Sequence, residues 1–185
     1  PPSALRLPLA VDVEKIAVSR LDYGKLVAID DLQAAFSSDG DNHRLSGVRG
    51  NFGKAVVAGE MTLGGAAPLP VQASATFSGE FDGQPLRLQA EAAGPLERIV
   101  VKVSANAGLR GDGLATLTPF ARHAFADAQL ALAGVDPAAW IVDAPHANLT
   151  LRARVAPDDR QEVALAGDFS VGNSIAGPLD RQRLP

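Results

Sequence analysis

Residues 69–109 read LPVQASATFSGEFDGQPLRLQAEAAGPLERIVVKVSANAGL. Leu69, Val71, Ala73, Ala75 and Phe77 take every second position, and Gln72, Ser74, Thr76 and Ser78 fill the places between. A period of two sends the two sets to opposite faces of a strand. Asp82-Gly83 supplies a turn, after which Leu86, Leu88, Ala90 and Ala92 alternate with Arg87, Gln89 and Glu91. Gly94-Pro95 breaks the run. Ile99, Val101, Val103, Ala105 and Ala107 then alternate with Lys102, Ser104 and Asn106, with Val100 the one apolar residue out of phase. Parallel strands covered on both faces would read as continuous apolar runs, so this stretch predicts three antiparallel strands with one wet and one apolar face.

The pattern extends in both directions. Upstream, Leu5, Leu7, Leu9, Val11 and Val13 alternate as an edge strand carrying Pro8, and the shift of phase to Ile16 and Val18 predicts a bulge. Asp22-Tyr23-Gly24 reads as a turn, and Leu32, Ala34 and Phe36 lead to the polar loop Ser37 to Asn42. A weaker strand, Leu45 to Phe52, is interrupted by Gly47 and Gly50, and Ala55, Val57, Gly59, Met61 and Leu63 resume the alternation. Downstream, Arg110 to Gly113 reads as a turn and Leu114 to Phe120 as a short strand closed by Thr118-Pro119. Ala126, Ala128, Leu130 and Leu132 make the next strand. Asp136-Pro137-Ala138-Ala139-Trp140 predicts a single helical turn, since Asp caps and Pro suits the first helical position. Ala147, Leu149, Leu151, Ala153 and Val155 then pair across a turn at Pro157 to Arg160 with Val163, Leu165, Gly167, Phe169 and Val171. The expected fold is all-β, about a dozen strands in one domain over residues 1–185. A faint internal repeat, Ala93 to Arg98 against Ala176 to Arg181, fits an elongated sheet of stacked strands.

Composition narrows the function. The 185 residues carry 17 basic and 21 acidic side chains, a net charge of −4, and the basic residues are scattered without the stripe that nucleic acid needs. There is no cysteine, which excludes a disulfide framework and thiolate zinc sites. No apolar run approaches the roughly 20 residues that span a bilayer. The chain reads as a piece of a longer protein, with any anchor or export signal outside it. His43, His123 and His146 stand beside turns without metal-ligand spacing and read as solvated loop residues; the pairs Asp30-Asp31, Asp39/Asp41 and Asp158-Asp159 read as solvated surface. Trp140 reads as a plug at one end of the sheet. No nucleophile has a recognisable partner, so no enzyme activity, metal or cofactor is expected. The apolar face remains as the functional candidate. Two sheets could bury such faces in a closed sandwich, but Ala and Gly at so many apolar positions would fill a thick core poorly and leave room for a chain-like guest.

Several turns and strands resemble a known family. Leu117-Thr118-Pro119-Phe120, Ala128 to Leu132, Val135 to Trp140 and Ala144 to Leu149 are similar to the central region of the TamB family, the inner-membrane-anchored periplasmic component of the translocation and assembly module, with AsmA-like relatives. Ile16 to Leu21 and Ala92 to Leu96 fit more loosely. The resemblance implies a long sheet curled into a β-taco, a trough with an apolar interior bridging inner and outer membranes. It implies two jobs: phospholipid transport along the trough, and support for a TamA-like outer-membrane partner in assembling β-barrel proteins such as secreted autotransporters. It implies a periplasmic location and no catalytic residues. The positions that would line a groove for phospholipid acyl chains or a nascent outer-membrane β-barrel protein are Val71, Ala73, Ala75, Phe77, Leu86, Leu88, Ile99, Val101, Val103, Leu130, Leu132, Leu149, Leu151, Val163, Leu165 and Phe169.

Overall fold

The computed structural model describes residues 2–23, 27–81, 84–107, 109–139, 144–158 and 165–175. Asp82-Gly83, Trp140, Val163 and the second copy of the repeat, 176–181, lie outside them. Eleven strands make one sheet: β1 (Val11–Tyr23), β2 (Val27–Ser38), β3 (Asn42–Phe52), β4 (Ala55–Gly64), β5 (Pro70–Phe81), β6 (Gln84–Pro95), β7 (Ile99–Ala107), β8 (Arg110–Leu117), β9 (Phe125–Val135), β10 (Leu149–Pro157) and β11 (Leu165–Asn173). The order across the sheet is the order along the chain, every neighbouring pair is antiparallel, and the sheet is not closed. Short connections allow this, because antiparallel strands need only a hairpin between them. The β5–β6 hairpin runs without a slip from Pro70 opposite Pro95 to Phe81 opposite Gln84. Among the described residues a single 3₁₀ turn, Pro137–Ala139, interrupts the meander, and Asp136 caps it by accepting from the Ala138 amide at 3.1 Å.

Bulges set the local bends. The expected shift between Val13 and Ile16 is present. In β3 the slip lies between Leu45 and Val48, where Gly47 takes φ of 59°, a left-handed conformation open to glycine at little cost. Gly50, by contrast, stays in register opposite Val57, packed so closely on Ile29 that a Cβ there would lie 2.6 Å from its methyl.

Two sequence expectations are corrected. Arg110 to Gly113 is the first half of β8 and not a turn. Gly111 and Gly113 pair with Leu132 and Leu130 of β9, and Gly111 meets the Ala131 carbonyl so closely that only a residue without a side chain fits, so Gly111 marks close strand approach, whereas Gly113 has room for a Cβ. The run from Leu5 does not join β1, which begins at Val11. Residues 4–7 instead cross the ends of other strands: Ala4 bridges Ala66, the Leu5 amide donates to the Gly65 carbonyl at 2.8 Å, and the Leu7 amide donates to the Gly40 carbonyl at 3.0 Å. Pro8 has no N–H to offer a ladder and restricts the residue before it, which separates this strap from β1.

The sheet has almost no core. Among the described residues only Ala55, Leu69, Val71, Ile99 and Ala147 are buried apolar side chains, and no large side chain is fully enclosed. The accessible surface is 12338 Å², against about 8,400 Å² for a folded monomer of this mass. A closed sandwich would not leave that surplus, so the alternative of two sheets burying each other is not realised.

Candidate functional site: the two faces of the sheet

Directly opposed residues of an antiparallel pair share a face, so the registers assign every position to a side. One row crosses the whole sheet, a residue per strand: Val13, Phe36, Leu45, Met61, Ala73, Ala92, Val101, Ala115, Ala128, Val155 and Gly167. None is polar. At about 4.8 Å per strand the row is roughly 48 Å long. Beside it runs a second row, Val48, Gly59, Ala75, Ala90, Val103, Gly113, Leu130, Ala153 and Phe169. A third contains Val57, Phe77, Leu88, Ala105, Gly111, Leu132, Leu151 and Val171.

The sizes of these side chains give the face a profile. From β5 to β10 the two middle rows are mostly Ala, Val and Gly, whereas Phe77, Leu88, Leu132 and Leu151 stand along one flank and Val71, Ile99 and Leu117 along the other. The result is a furrow with a low floor and raised sides, the first flank dipping at Ala105 and Gly111 on β7 and β8. Of the sixteen predicted groove positions, all but Val163 are described, and the registers put Val71, Ala73, Ala75, Phe77, Leu88, Val101, Val103, Leu130, Leu132, Leu151 and Phe169 on this one face. Leu86 opposite Gly79, Ile99 opposite Leu117, Leu149 opposite Val135 and Leu165 opposite Pro157 continue it toward the strand ends. Toward β11 the face is bare, with Leu130 45%, Leu165 63% and Phe169 83% exposed.

At the β2–β4 end the same face is roofed. The strap lays Leu5 and Leu7 over Phe36, Leu45, Met61 and Leu63, leaving a cavity of about 360 Å³ that Arg6 and His43 also line. His43 ties roof to floor. Its Nε2 donates to the Leu5 carbonyl at 2.7 Å, and its Nδ1 shares a hydrogen bond with the Ser38 hydroxyl at 2.8 Å. The Ser38 oxygen accepts in turn from the Gly40 amide, and the ring stacks on Phe36 with centroids 6.4 Å apart. Arg6 pairs with Asp41 at 2.8 Å. His43 is therefore a structural clasp and not the solvated residue the sequence suggested.

The opposite face holds a larger concavity, about 770 Å³, which sequence reasoning did not anticipate. A twisted sheet is saddle-shaped, so each face is hollow along one diagonal. Glu91 faces Lys102 and Arg154 faces Asp168 here, with Asp112 and Arg152 nearby, three charges of each sign. Among the described residues none of the six makes an ion pair within 4 Å. Strand centres such as Val103, Leu130 and Phe169 also touch this hollow. Its balanced, solvated charges select no sign of ligand.

Titratable groups elsewhere serve local structure. The Asp136 carboxyl is held below its ordinary value, first by the His146 ring at 2.9 Å, against the opposing effect of burial, and then by the Ala147 and Ala138 amides. Asp39 is lowered likewise by the Asn42 side chain and by the Asn42 and Asp41 amides, which make it the clasp of the β2–β3 turn. No cluster of three or more metal-binding side chains occurs among the described residues, and no helix there is long and apolar enough to cross a membrane. No family model, no curated protein and no solved structure matches this chain.

Proposed function

We propose that this chain is a non-enzymatic section of a TamB-like protein of the periplasm, and that its apolar face is a furrow that holds phospholipid acyl chains for transport between membranes. The observation that supports this reading most is the row of eleven non-polar residues, one from each strand, on a sheet whose apolar face is largely uncovered. A soluble protein rarely leaves so large an apolar face bare without a use for it. Each CH₂ moved from water onto that face gains about 0.8 kcal/mol, and the interaction asks for no specific polar contact. Headgroups would stay in water at the open side.

Native mass spectrometry after mild purification tests the reading. Phospholipid is expected to travel with the folded chain, and a photoreactive residue at Val101 is expected to cross-link to it. A lipid-free chain that also fails to take up added phospholipid would overturn the proposal in favour of a structural spacer.

A second reading, receipt of a strand from a nascent β-barrel protein, is favoured by β11. Every residue from Leu165 to Gly172 is exposed, and strand addition at such an edge supplies affinity through main-chain hydrogen bonds.

A further inference from the structure

We infer that the strapped cavity is the end-stop of the furrow, a pocket for the methyl end of an unbranched alkyl chain. The inference rests on the furrow reading and adds to it a fixed terminus and a direction for the bound chain.

The cavity has two walls: Leu5 and Leu7 above, Phe36, Leu45, Met61 and Leu63 below. Its volume, about 360 Å³, lies at the low end for ligand sites and suits part of a lipid better than a whole one. The polar groups along the walls are already engaged. Both nitrogens of His43 are bonded, the Leu5 carbonyl accepts from that ring, and Arg6 turns its guanidinium to Asp41. A polar ligand group placed there would lose water and find no partner, which costs a few kcal/mol. A hydrocarbon end loses nothing.

Position supplies the rest. Phe36, Leu45 and Met61 belong to the same register row as Ala73, Ala92 and Val101. A chain lying along the low floor from β10 toward β5 therefore runs directly into the cavity. There the floor rises from Ala to Met, Leu and Phe, and the strap, pinned to the Gly40 and Gly65 carbonyls, stands above it. Met61, the cavity residue whose register partner is Ala73 of the furrow floor, is 39% exposed, so the cavity is not sealed.

Two phospholipid probes test this, one with a diazirine at the tip of an acyl chain and one with the diazirine beside the glycerol. After photolysis, the tip probe is expected to label the peptides carrying Leu5–Leu7 and Met61–Leu63, and the glycerol probe is not. Met61→Trp, which fills the cavity from below, is expected to abolish that labelling and to leave labelling around Val101 intact. Should Met61→Trp fail to fold, Leu5→Trp fills the same space from the strap. Tip labelling confined to β7–β10, equal labelling of the strap by both probes, or tip labelling of the strap that survives the filled cavity would each overturn the end-stop and leave the furrow standing. Absence of labelling anywhere on the apolar face, by either probe, would overturn the furrow itself.

Discussion

The β1–β4 end and the β6–β11 end are written in the same two-residue period, yet one is roofed over β2–β4 and the other is bare. On the central row the first carries Val13, Phe36, Leu45 and Met61, and the second carries Ala92, Val101, Ala115, Ala128, Val155 and Gly167. A large apolar side chain gains about 1.5 to 3 kcal/mol from full burial, so Phe36, Leu45 and Met61 repay a cover. Alanines gain little from one. Alternation decides that the sheet has an apolar face, but side-chain volume decides whether that face closes or stays available.

One charge placed at each end is expected to separate the two most strongly. Val101→Arg sits on the open floor, half-buried, where a long side chain can lift its head toward water. The chain is expected to stay folded, with co-purified phospholipid reduced about ten-fold or more, because a guest chain would have to desolvate an unpaired charge. Leu45→Arg, under the strap, is expected instead to destabilise the fold by roughly 2 to 4 kcal/mol. Denaturant titration and native mass spectrometry on the two variants separate these outcomes. Equal loss of stability would mean the open end is not open. Lys102→Gln is the control on the polar face; Lys102→Glu is less clean, since Glu91 stands directly opposite and like charges there repel.

Next in size is Gly111→Ala. A Cβ at this position runs into the Ala131 carbonyl and lies 2.7 Å from a Leu132 methyl, so β8 and β9 must separate. A loss of about 1 to 3 kcal/mol is expected, read as a lower melting temperature. Unchanged stability would show that the open half yields easily, contrary to a floor held by close strand approach.

Ser38→Ala removes the hydroxyl that joins the His43 ring to the Gly40 amide. About 1 kcal/mol is expected to go, and it should go locally: the Leu5 and Leu7 amides should exchange faster in deuterated water, with β6–β10 unaffected. Uniformly faster exchange would mean that strap and furrow are one cooperative unit.

The smallest effect is acid-dependent. Asp136 is lowered by its contacts in the folded chain, so the stability it contributes is complete above the ordinary carboxylate range and is lost as pH falls through the lowered folded value. The turn between β9 and β10 is expected to loosen only at that acidic end. His146→Ala should move the loosening to higher pH, and NMR shifts of the Ala138 and Ala147 amides would report it.

Much of this architecture is legible in the residues because the side-chain period of a strand is fixed. The run Val71, Ala73, Ala75, Phe77 fixes a face with no knowledge of its neighbours, and Leu88 and Val101 join it once the turns are placed. The strap was not legible. Leu5, Leu7 and Leu9 obey the same period as a paired strand, and only Pro8 hints that the Leu7 and Leu5 amides go to two turn carbonyls, Gly40 and Gly65, 33 and 60 residues away. Arg110 to Gly113 failed for a related reason. Glycine marks a turn and a tight strand contact alike, and the distinction lies in what stands opposite, here Ala131 and Leu132. The profile of the furrow needed register as well, since low floor and raised flank are relations between strands.

Strictly sequential pairing has one more consequence, for growth. Each strand's only partners are the ones made just before and just after it, so the sheet can be laid down from one end like courses of brick, with no distant segment to wait for. A strand added or removed in a closed sandwich would disturb the whole core. Here, gaining or losing one hairpin would change the span by about 10 Å and leave the cross-section as it was. The length of the sheet is thus counted in hairpins, and duplicating one would extend it without redesign of the rest.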